Sequence, residues 1–172
     1  MNNPWLTIPL EDYEGHMAMP DVGQAKMLAN EFEALLKIYA PPSAALIGCA
    51  GGNGFEEAAK AGVTRLVGLD INPTYIADAK ARYAGRMMGL ELYCADIEGD
   101  MPELRPVHIV YGALVFEYVD TAKALKNLRA FACLMEFLPP FCNCQRKGRR
   151  AFRPPLCSIE GAELDHAPGA TG

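Results

Sequence analysis

One segment, residues 44–70, constrains the fold of this chain more than any other. It begins with a short apolar run at 44–47, continues through a glycine-rich turn at 48–54 and a helical segment at 55–61, and ends with an apolar run that closes on Asp70. Glycines let the backbone turn sharply and approach a ligand with no Cβ in the way. A carboxylate about 20 residues after such a loop can accept hydrogen bonds from both ribose hydroxyls. Glycine clusters also form turns that bind nothing, but this one lies between two strands, so the segment predicts an adenosine-binding unit.

The spacing of these glycines disfavours a dinucleotide as the ligand. A dinucleotide loop has the pattern G-x-G-x-x-G, and counting from Gly48 places Ala50 and Asn53 where the second and third glycines belong. The next helix begins with Glu56 and Glu57, which suit the positive end of a helix dipole and would repel a pyrophosphate there. A ligand that carries a sulfonium and an ammonium group is repelled less. An NAD-linked oxidoreductase is therefore the least favoured interpretation.

Four motifs between residues 40 and 131 resemble those of the class I methyltransferases that use S-adenosylmethionine. They occur in the family's order, at 46–52 (LIGCAGG), 68–73 (GLDINP), 94–97 (CADI) and 110–119 (VYGALVFEYV). The resemblance implies an α/β fold with a doubly wound Rossmann-like sheet. It also implies S-adenosylmethionine as the cofactor and methyl transfer to a small-molecule acceptor as the activity.

The resemblance further implies which residues surround the cofactor. By analogy, Gly48, Gly52 and Gly54 border the methionine part, Asp70 holds the ribose, and Asp96 caps the adenine amino group. The full implied set is Gly48, Cys49, Ala50, Gly52, Gly54, Asp70, Ile71, Asp96, Ile97 and Gly112.

One position departs from the family's pattern. The family usually carries an acidic residue two positions before the first glycine, where it receives the ammonium of the methionine part, and this chain has Leu46 there. The departure predicts either weaker cofactor binding, and so an impaired enzyme, or another carboxylate in the same role. Two alternatives to an active enzyme stay open: a non-catalytic module that binds an adenosine ligand, and a degenerate remnant that binds nothing.

The rest of the matched segment has the pattern of a parallel sheet. Apolar runs at 90–95 and 107–114 predict a third and a fourth strand, and the second run is nearly continuous, as in strands buried on both faces. Asn72 followed by Pro73 predicts the start of a helix. Upstream, Asp21 and Gln24 predict a capping box for a helix that runs to about Tyr39.

Two groups of residues are candidates for contact with the acceptor. Residues 12–17 are polar and aromatic without a regular period, which predicts either a surface turn or a lid over the cofactor pocket. In a lid, Tyr13, Glu14 and His16 could orient or deprotonate an acceptor. Glu117 and Tyr118 follow the fourth predicted strand, at the sheet edge where open α/β folds bind ligands. They are either acceptor contacts or the polar end of a strand.

Charge and cysteine content exclude several classes of protein. The chain has 172 residues, enough for one domain, with a net charge of −5 and no basic stripe in the matched segment, so it predicts no nucleic-acid partner. It shows neither a leader pattern nor an apolar stretch of membrane-spanning length, which predicts a cytoplasmic protein without a membrane partner. Cys49 and Cys94 are expected to be reduced thiols. His108, inside the fourth strand, is expected to be a hydrogen-bonded or half-exposed histidine rather than a catalyst.

The composition changes at about residue 132. Residues 132–172 hold four of the six cysteines and neither valine nor tyrosine, which predicts an irregular, disordered tail. A zinc site fits the spacing of its candidate ligands poorly; they are Cys133, Cys142, Cys144, Cys157 and His166. The basic run at 146–150 predicts either a contact with nucleic acid or membrane, or a solvated tail. A shifted reading frame or a diverged replacement would also account for this composition.

These patterns divide the chain into three parts. We expect an N-terminal arm and helix at 1–40, a cofactor-binding domain at 41–131 and the irregular tail at 132–172. The methyltransferase sheet needs three strands after the fourth, so the sheet is expected to be incomplete at its C-terminal end. In the absence of a fifth strand, 107–114 would present an unpaired apolar edge through which the protein could self-associate.

Overall fold

The computed structural model of the protein describes residues 3–138, with side chains for residues 3–132. The side chains of the zinc hypothesis and the basic run at 146–150 lie outside the described residues, as does the predicted tail from residue 139 onward.

The described residues form one sheet of five parallel strands in the order β3-β2-β1-β4-β5. The strands are β1 (Ser43–Ile47), β2 (Arg65–Asp70), β3 (Leu90–Cys94), β4 (Val107–Ala113) and β5 (Ala132–Leu138). The first four begin and end within one residue of their predicted bounds. The strand order reverses between β1 and β4, and at such a switch point the carboxyl ends of the strands frame a crevice.

Five α-helices connect or flank these strands within residues 3–138. They are α1 (Leu10–Ala18), α2 (Gln24–Tyr39), α3 (Phe55–Lys60), α4 (Pro73–Tyr83) and α5 (Thr121–Arg129). Helix α4 starts as predicted, because Asn72 Oδ1 accepts a hydrogen bond from the Thr74 backbone N–H at 2.9 Å. None of the described helices is both long and apolar enough to cross a membrane.

Two apolar clusters, one on each face of the sheet, hold the fold together. In β1, Leu46 packs into a cluster with Phe32 of α2 and Phe55 of α3, and its neighbour Ile47 packs into the opposite cluster with Leu128 of α5. Each large side chain that is fully buried contributes about 1.5–3 kcal/mol to folding. Helices therefore cover both faces, and the predicted doubly wound α/β fold is confirmed.

The fifth strand corrects the prediction for residues 132–138. They are not irregular but form β5, which pairs in parallel with β4 from Val107 opposite Ala132 to Ala113 opposite Leu138. The predicted unpaired edge at 107–114 is therefore wrong, and self-association through it loses its basis. The physical reason is that the β4 backbone needs hydrogen-bond partners on both sides. A seven-residue strand was hidden by averaging composition over 132–172.

The N-terminal part requires two further corrections. Residues 12–17 lie in helix α1, so the surface-turn hypothesis for them is wrong. Helix α2 ends at Tyr39 as predicted but begins at Gln24, after Gly23, with no side-chain cap. The predicted capping box fails because the preceding residues form a turn in which the Gly23 N–H donates to the Met19 carbonyl at 2.8 Å.

Candidate active site

Two adjoining cavities lie at the carboxyl end of the sheet. The main cavity, of about 320 Å³, is lined by six of the residues that the family resemblance implied: Gly48, Ala50, Asp70, Ile71, Asp96 and Ile97. The loop cavity, of about 230 Å³, shares Tyr13, Ile47, Gly48 and Ala113 with it and is also lined by Cys49, Gly52 and Gly54. Gly112 lines neither cavity, because it lies inside β4 opposite Ile47.

The glycine-rich loop wraps over the end of β2. The backbone N–H groups of Gly48 and Cys49 both donate to the Leu69 carbonyl, at 2.8 and 3.1 Å. Gly52 has a φ of +112°, and a Cβ built there would lie 2.3 Å from the Tyr83 ring. Only glycine fits this position, since another residue would combine backbone strain with a collision. Tyr83 therefore fixes how closely the loop packs against α4.

Asp70 occupies the end of β2 between the loop and α4. Its side chain is buried, with 8% of its surface exposed. Oδ2 accepts a hydrogen bond from the Ala50 N–H and Oδ1 accepts one from the Asn72 N–H, each at 2.9 Å. Burial raises the pKa of this carboxyl, and the backbone N–H groups of Asn72, Ala50 and Ile71 offset part of the rise. Each carboxylate oxygen can accept a further hydrogen bond, so Asp70 can still receive the hydroxyls of a ligand.

Asp96 and Ile97 follow β3, the strand that pairs with β2, and line the main cavity. Asp96 is exposed, and its Oδ1 accepts a hydrogen bond from the Glu98 N–H at 2.9 Å. Asn127 of α5 donates through Nδ2 to the carbonyls of Ile97 and Gly99, at 2.9 and 3.0 Å. These bonds hold the loop in place and present a carboxylate and a buried apolar side chain to the cavity.

The N-terminal segment covers the cavities through contacts with α4 and its cap. Asn72 Nδ2 donates to the Trp5 carbonyl at 2.7 Å, and the Tyr75 hydroxyl donates to the Ile8 carbonyl at 3.0 Å. The Arg82 guanidinium binds both carboxylate oxygens of Glu14 in α1, with Nη2 to Oε2 at 3.0 Å. The segment is thus attached at three points, as a lid would be.

The structure brings four of the five predicted acceptor residues together. Tyr13, His16, Glu117 and Tyr118 all line the main cavity, whereas Glu14 lines neither cavity and is engaged with Arg82. The Tyr13 hydroxyl accepts a hydrogen bond from Asn53 Nδ2 at 3.3 Å. Burial, with the Asp70 charge second, raises the pKa of Tyr13 to about 12, so Tyr13 stays protonated at neutral pH and cannot act as a base.

Two aromatic residues of the site were missed by the sequence reasoning. Trp5 and Tyr75 line the main cavity, and the Trp5 ring meets the rings of Tyr118 and Tyr13 edge-on, with centroids 5.1 and 5.8 Å apart. The available signal was that Trp5 is the single tryptophan of the chain. A lone tryptophan ahead of the first helix, outside any periodic core pattern, favours a ligand-contact role.

The walls of the two cavities carry negatively charged side chains. Among the described residues, the two cavities are lined by five carboxylates and by neither lysine nor arginine; the carboxylates are Asp70, Asp96, Glu117, Glu56 and Glu57. The two phosphate charges of a pyrophosphate would lack a counter-charge here. The geometry therefore agrees with the expectation that a dinucleotide is disfavoured.

The other residues singled out in the sequence lie in apolar surroundings or away from the two cavities. Leu46 is 4% exposed and packs in the apolar core while lining the loop cavity, so its position carries no carboxylate. Cys49 is buried and Cys94 is exposed, both are free, and burial raises the pKa of each thiol. His108 lies at the amino end of β4 with Nδ1 2.8 Å from Ser43 Oγ, which confirms it as a hydrogen-bonded histidine away from the cavities.

With this geometry in place, comparison with known proteins identifies the class. Residues 45–135 match the family model described as a methyltransferase domain. Since the match spans more than half of the chain, the chain belongs to the methyltransferase domain family. S-adenosylmethionine is the cofactor of this family. No curated protein matches the chain.

Solved structures agree with this fold at low sequence identity. The plantazolicin methyltransferase BamL, solved with a triazolic desmethylPZN analog and SAH, has a TM-score of 0.61 at 18% identity, over 76% of this chain and 50% of BamL. An S-adenosylmethionine-dependent methyltransferase from Clostridium acetobutylicum ATCC 824 has a TM-score of 0.57 at 14% identity, over 74% of this chain and 55% of that one.

A third similar structure is the magnesium protoporphyrin IX methyltransferase from Synechocystis PCC 6803 with bound SAM. Its TM-score is 0.55 at 18% identity, over 69% of this chain and 60% of that one. The present chain spans about half the length of the first structures it matches.

Proposed function

We propose that this protein binds S-adenosylmethionine at the carboxyl end of its sheet and transfers the methyl group to a small-molecule acceptor. The observation that carries the proposal is the position of Asp70. Its carboxylate lies at the end of β2 on the wall of the main cavity, held by the N–H groups of Ala50 and Asn72. A ribose needs an acceptor of this kind, fixed by the backbone and able to accept two hydroxyls.

We base the placement of the cofactor on those residues of the implied set that line the two cavities. We assign the ribose to Asp70, the adenine to the wall of Ile71, Asp96 and Ile97, and the methionine part to the loop cavity beside Gly52. The carboxylates of the walls favour a cofactor with a sulfonium charge and disfavour one with phosphates. Gly112 is left out of this assignment because it lies inside β4.

When bound, the cofactor supplies an activated methyl group, so little acid–base chemistry is asked of the protein. What the chain contributes is alignment of the acceptor and exclusion of water. The N-terminal segment up to the end of α1, anchored to α4 and its cap through Trp5, Ile8 and Glu14, would act as a lid that closes the main cavity over both reactants. His16, an imidazole on the wall of the main cavity, is the side chain that we assign to any proton transfer the acceptor needs.

A second candidate function is a module that binds the cofactor without turnover. The buried, apolar Leu46 favours it, because the methionine ammonium loses a partner at that position. Glu57 is the carboxylate that would bind this ammonium in place of the family's usual acidic residue. It is half-buried in the loop cavity and has no ion-pair partner among the described residues. The cytoplasmic location predicted from the sequence belongs to either version of the proposal.

Calorimetric titration tests the proposal. S-adenosylmethionine and S-adenosylhomocysteine should both bind with one-site isotherms, and NAD should give no heat of binding. Binding of NAD, or no binding of either adenosyl ligand by a protein with a native circular dichroism spectrum, would contradict it. Binding without product, across a panel of acceptors followed by mass spectrometry, would favour the non-catalytic module.

A further inference from the structure

The part of the main cavity away from the cofactor residues has a distinct chemistry. Its wall comes from the N-terminal segment and from the loop after β4, and we call it the acceptor wall; its residues are Trp5, Tyr13, His16, Glu117 and Tyr118. The aromatic rings form a connected group in which Trp5 contacts both Tyr13 and Tyr118 edge-on. Tyr118 is 47% exposed, so part of its ring is accessible to a planar or cationic ligand.

Glu117 is the only carboxylate of this wall. It is exposed, lines the main cavity and has no hydrogen-bond or ion-pair partner among the described residues. Three of the other four carboxylates on the described cavity walls have partners of their own: Asp70 and Asp96 accept backbone N–H bonds, and Glu56 lies 3.8 Å from Lys60. The fourth, Glu57, lies in the loop cavity, away from the acceptor wall. The charge of Glu117 is therefore free to meet a ligand.

We propose that the acceptor is an amine attached to an aromatic or apolar body, and that Glu117 selects it. This inference rests on the proposed function, since it concerns the second substrate of the same cavity. A cationic ammonium would be stabilised by the Glu117 carboxylate and by the faces of Trp5 and Tyr118. A carboxylate or phosphate in its place would face negative charge with no lysine or arginine among the described lining residues.

The proposed transfer balances as an N-methylation. An acceptor that binds as an ammonium ion first loses one proton to His16, the base on the acceptor wall. The lone pair of the acceptor nitrogen then forms the N–C bond with the methyl carbon. The C–S bond breaks with its electron pair left on sulfur, so S-adenosylhomocysteine and the methylated amine are the products.

Three probes that share a phenylethyl body separate the possibilities by charge. Phenethylamine is a cation at neutral pH, because alkyl amines have pKa values of roughly 10. 2-Phenylethanol is neutral and 3-phenylpropanoate is an anion. Each is titrated into the protein saturated with S-adenosylhomocysteine, for the wild type, for Glu117→Gln and for Glu103→Gln. Glu103 is an exposed carboxylate outside both cavities, so its variant controls for the same chemical change.

We expect the wild type to bind phenethylamine about tenfold or more tightly than 3-phenylpropanoate, with 2-phenylethanol between them. Glu117→Gln should reduce that preference to about threefold or less, and Glu103→Gln should leave it unchanged. Equal affinities for amine and anion, a preference for the alcohol, or an amine preference that survives in Glu117→Gln would overturn the inference while S-adenosylhomocysteine still binds. No binding of S-adenosylhomocysteine at the outset would overturn the proposed function and this inference together.

Discussion

The two ends of the parallel sheet differ in whether their charged side chains have ion-pair partners. At the amino end, Arg65 binds Glu91 through two hydrogen bonds of 2.8 and 3.0 Å, and Arg105 adds a third at 2.9 Å. Arg65 also donates to the carbonyls of Arg105 and Pro106, at 3.1 and 3.0 Å. Every charge in this network has a partner, so it ties β2, β3 and the start of β4 together.

At the carboxyl end, Asp70, Asp96 and Glu117 line the main cavity without a described lysine or arginine beside them. The two environments shift pKa values in opposite directions: burial raises the pKa of Asp70, whereas Arg65, with smaller help from Arg105, lowers that of Glu91 to about 2. One end uses its charges to stabilise the fold. The other keeps its charges available for a ligand, at a cost in stability.

The largest expected effect is on the loop of the carboxyl end. Gly52→Ala should lower the free energy of unfolding by about 3 kcal/mol, because a φ of +112° is strained for alanine and its Cβ would collide with the Tyr83 ring. Gly62→Ala is the matched control before β2, with a φ of +79° and no atom within 4 Å of the added Cβ. Its cost should be about 1 kcal/mol. Urea denaturation measures both, and equal losses would show that the Tyr83 contact is unimportant.

The next effect is on cofactor binding. Asp70→Ala should weaken S-adenosylmethionine binding by about 1.5–3 kcal/mol, the usual cost of losing a charged acceptor. Asp96→Ala should cost less, because Asp96 is exposed and competes with water. Calorimetric titration measures both, and Glu91→Gln, at the other end of the sheet, should bind like the wild type. An Asp70→Ala variant that folds and binds with wild-type affinity would remove the ribose assignment.

A smaller effect is expected where the lid joins α4. Asn72→Ala removes the helix cap and the hydrogen bond to the Trp5 carbonyl, and should lower the free energy of unfolding by about 1 kcal/mol. Asp120→Ala removes the cap of α5, which does not hold the lid, and should cost a similar amount. Only Asn72→Ala should speed proteolysis before α1. Equal protease sensitivity of the two variants would mean that Asn72 does not anchor the lid.

The smallest effect concerns the amino end and depends on pH. The folded-state pKa of Glu91, at about 2, lies below its usual range, so the network contributes stability above about pH 4.3, and that contribution is lost as the pH falls toward 2. Because the network is partly hydrated, Glu91→Gln should cost only about 1 kcal/mol at pH 7. The difference between variant and wild type should shrink from pH 4 to pH 2. A difference independent of pH would assign the loss to packing.

The four strands predicted from the sequence were recognisable because buried parallel strands are continuous apolar runs, and β4 is one of them. The fifth strand was not, because Pro139 follows it directly and the composition of residues 132–172, which lack valine and tyrosine, was interpreted as a whole. Helix α1 was missed since Pro9 precedes it and Gly15 interrupts it. The spacing of Leu10 and Met17, seven residues apart and both buried, was the signal for that helix.

The residues of the candidate site were likewise predictable only in part. Asp70 and the loop were predictable because a motif fixes them relative to one strand–loop–helix unit. Tyr13 and His16 were named without knowledge of their partners, and Trp5 and Tyr75 were missed, because the acceptor wall is assembled from segments distant in sequence. Glu14 was misplaced because its contact with Arg82 depends on how α1 lies against α4, which no local pattern contains.

The central claim is that the carboxyl end of the sheet holds the cofactor, and hydrogen exchange with and without saturating S-adenosylhomocysteine tests it most directly. The account predicts slower amide exchange on binding at residues 48–54, 70–72 and 96–98, with no change at the amino end around Arg65 and His108. Binding that leaves 48–54 and 70–72 unprotected, or that protects the amino end instead, would contradict it.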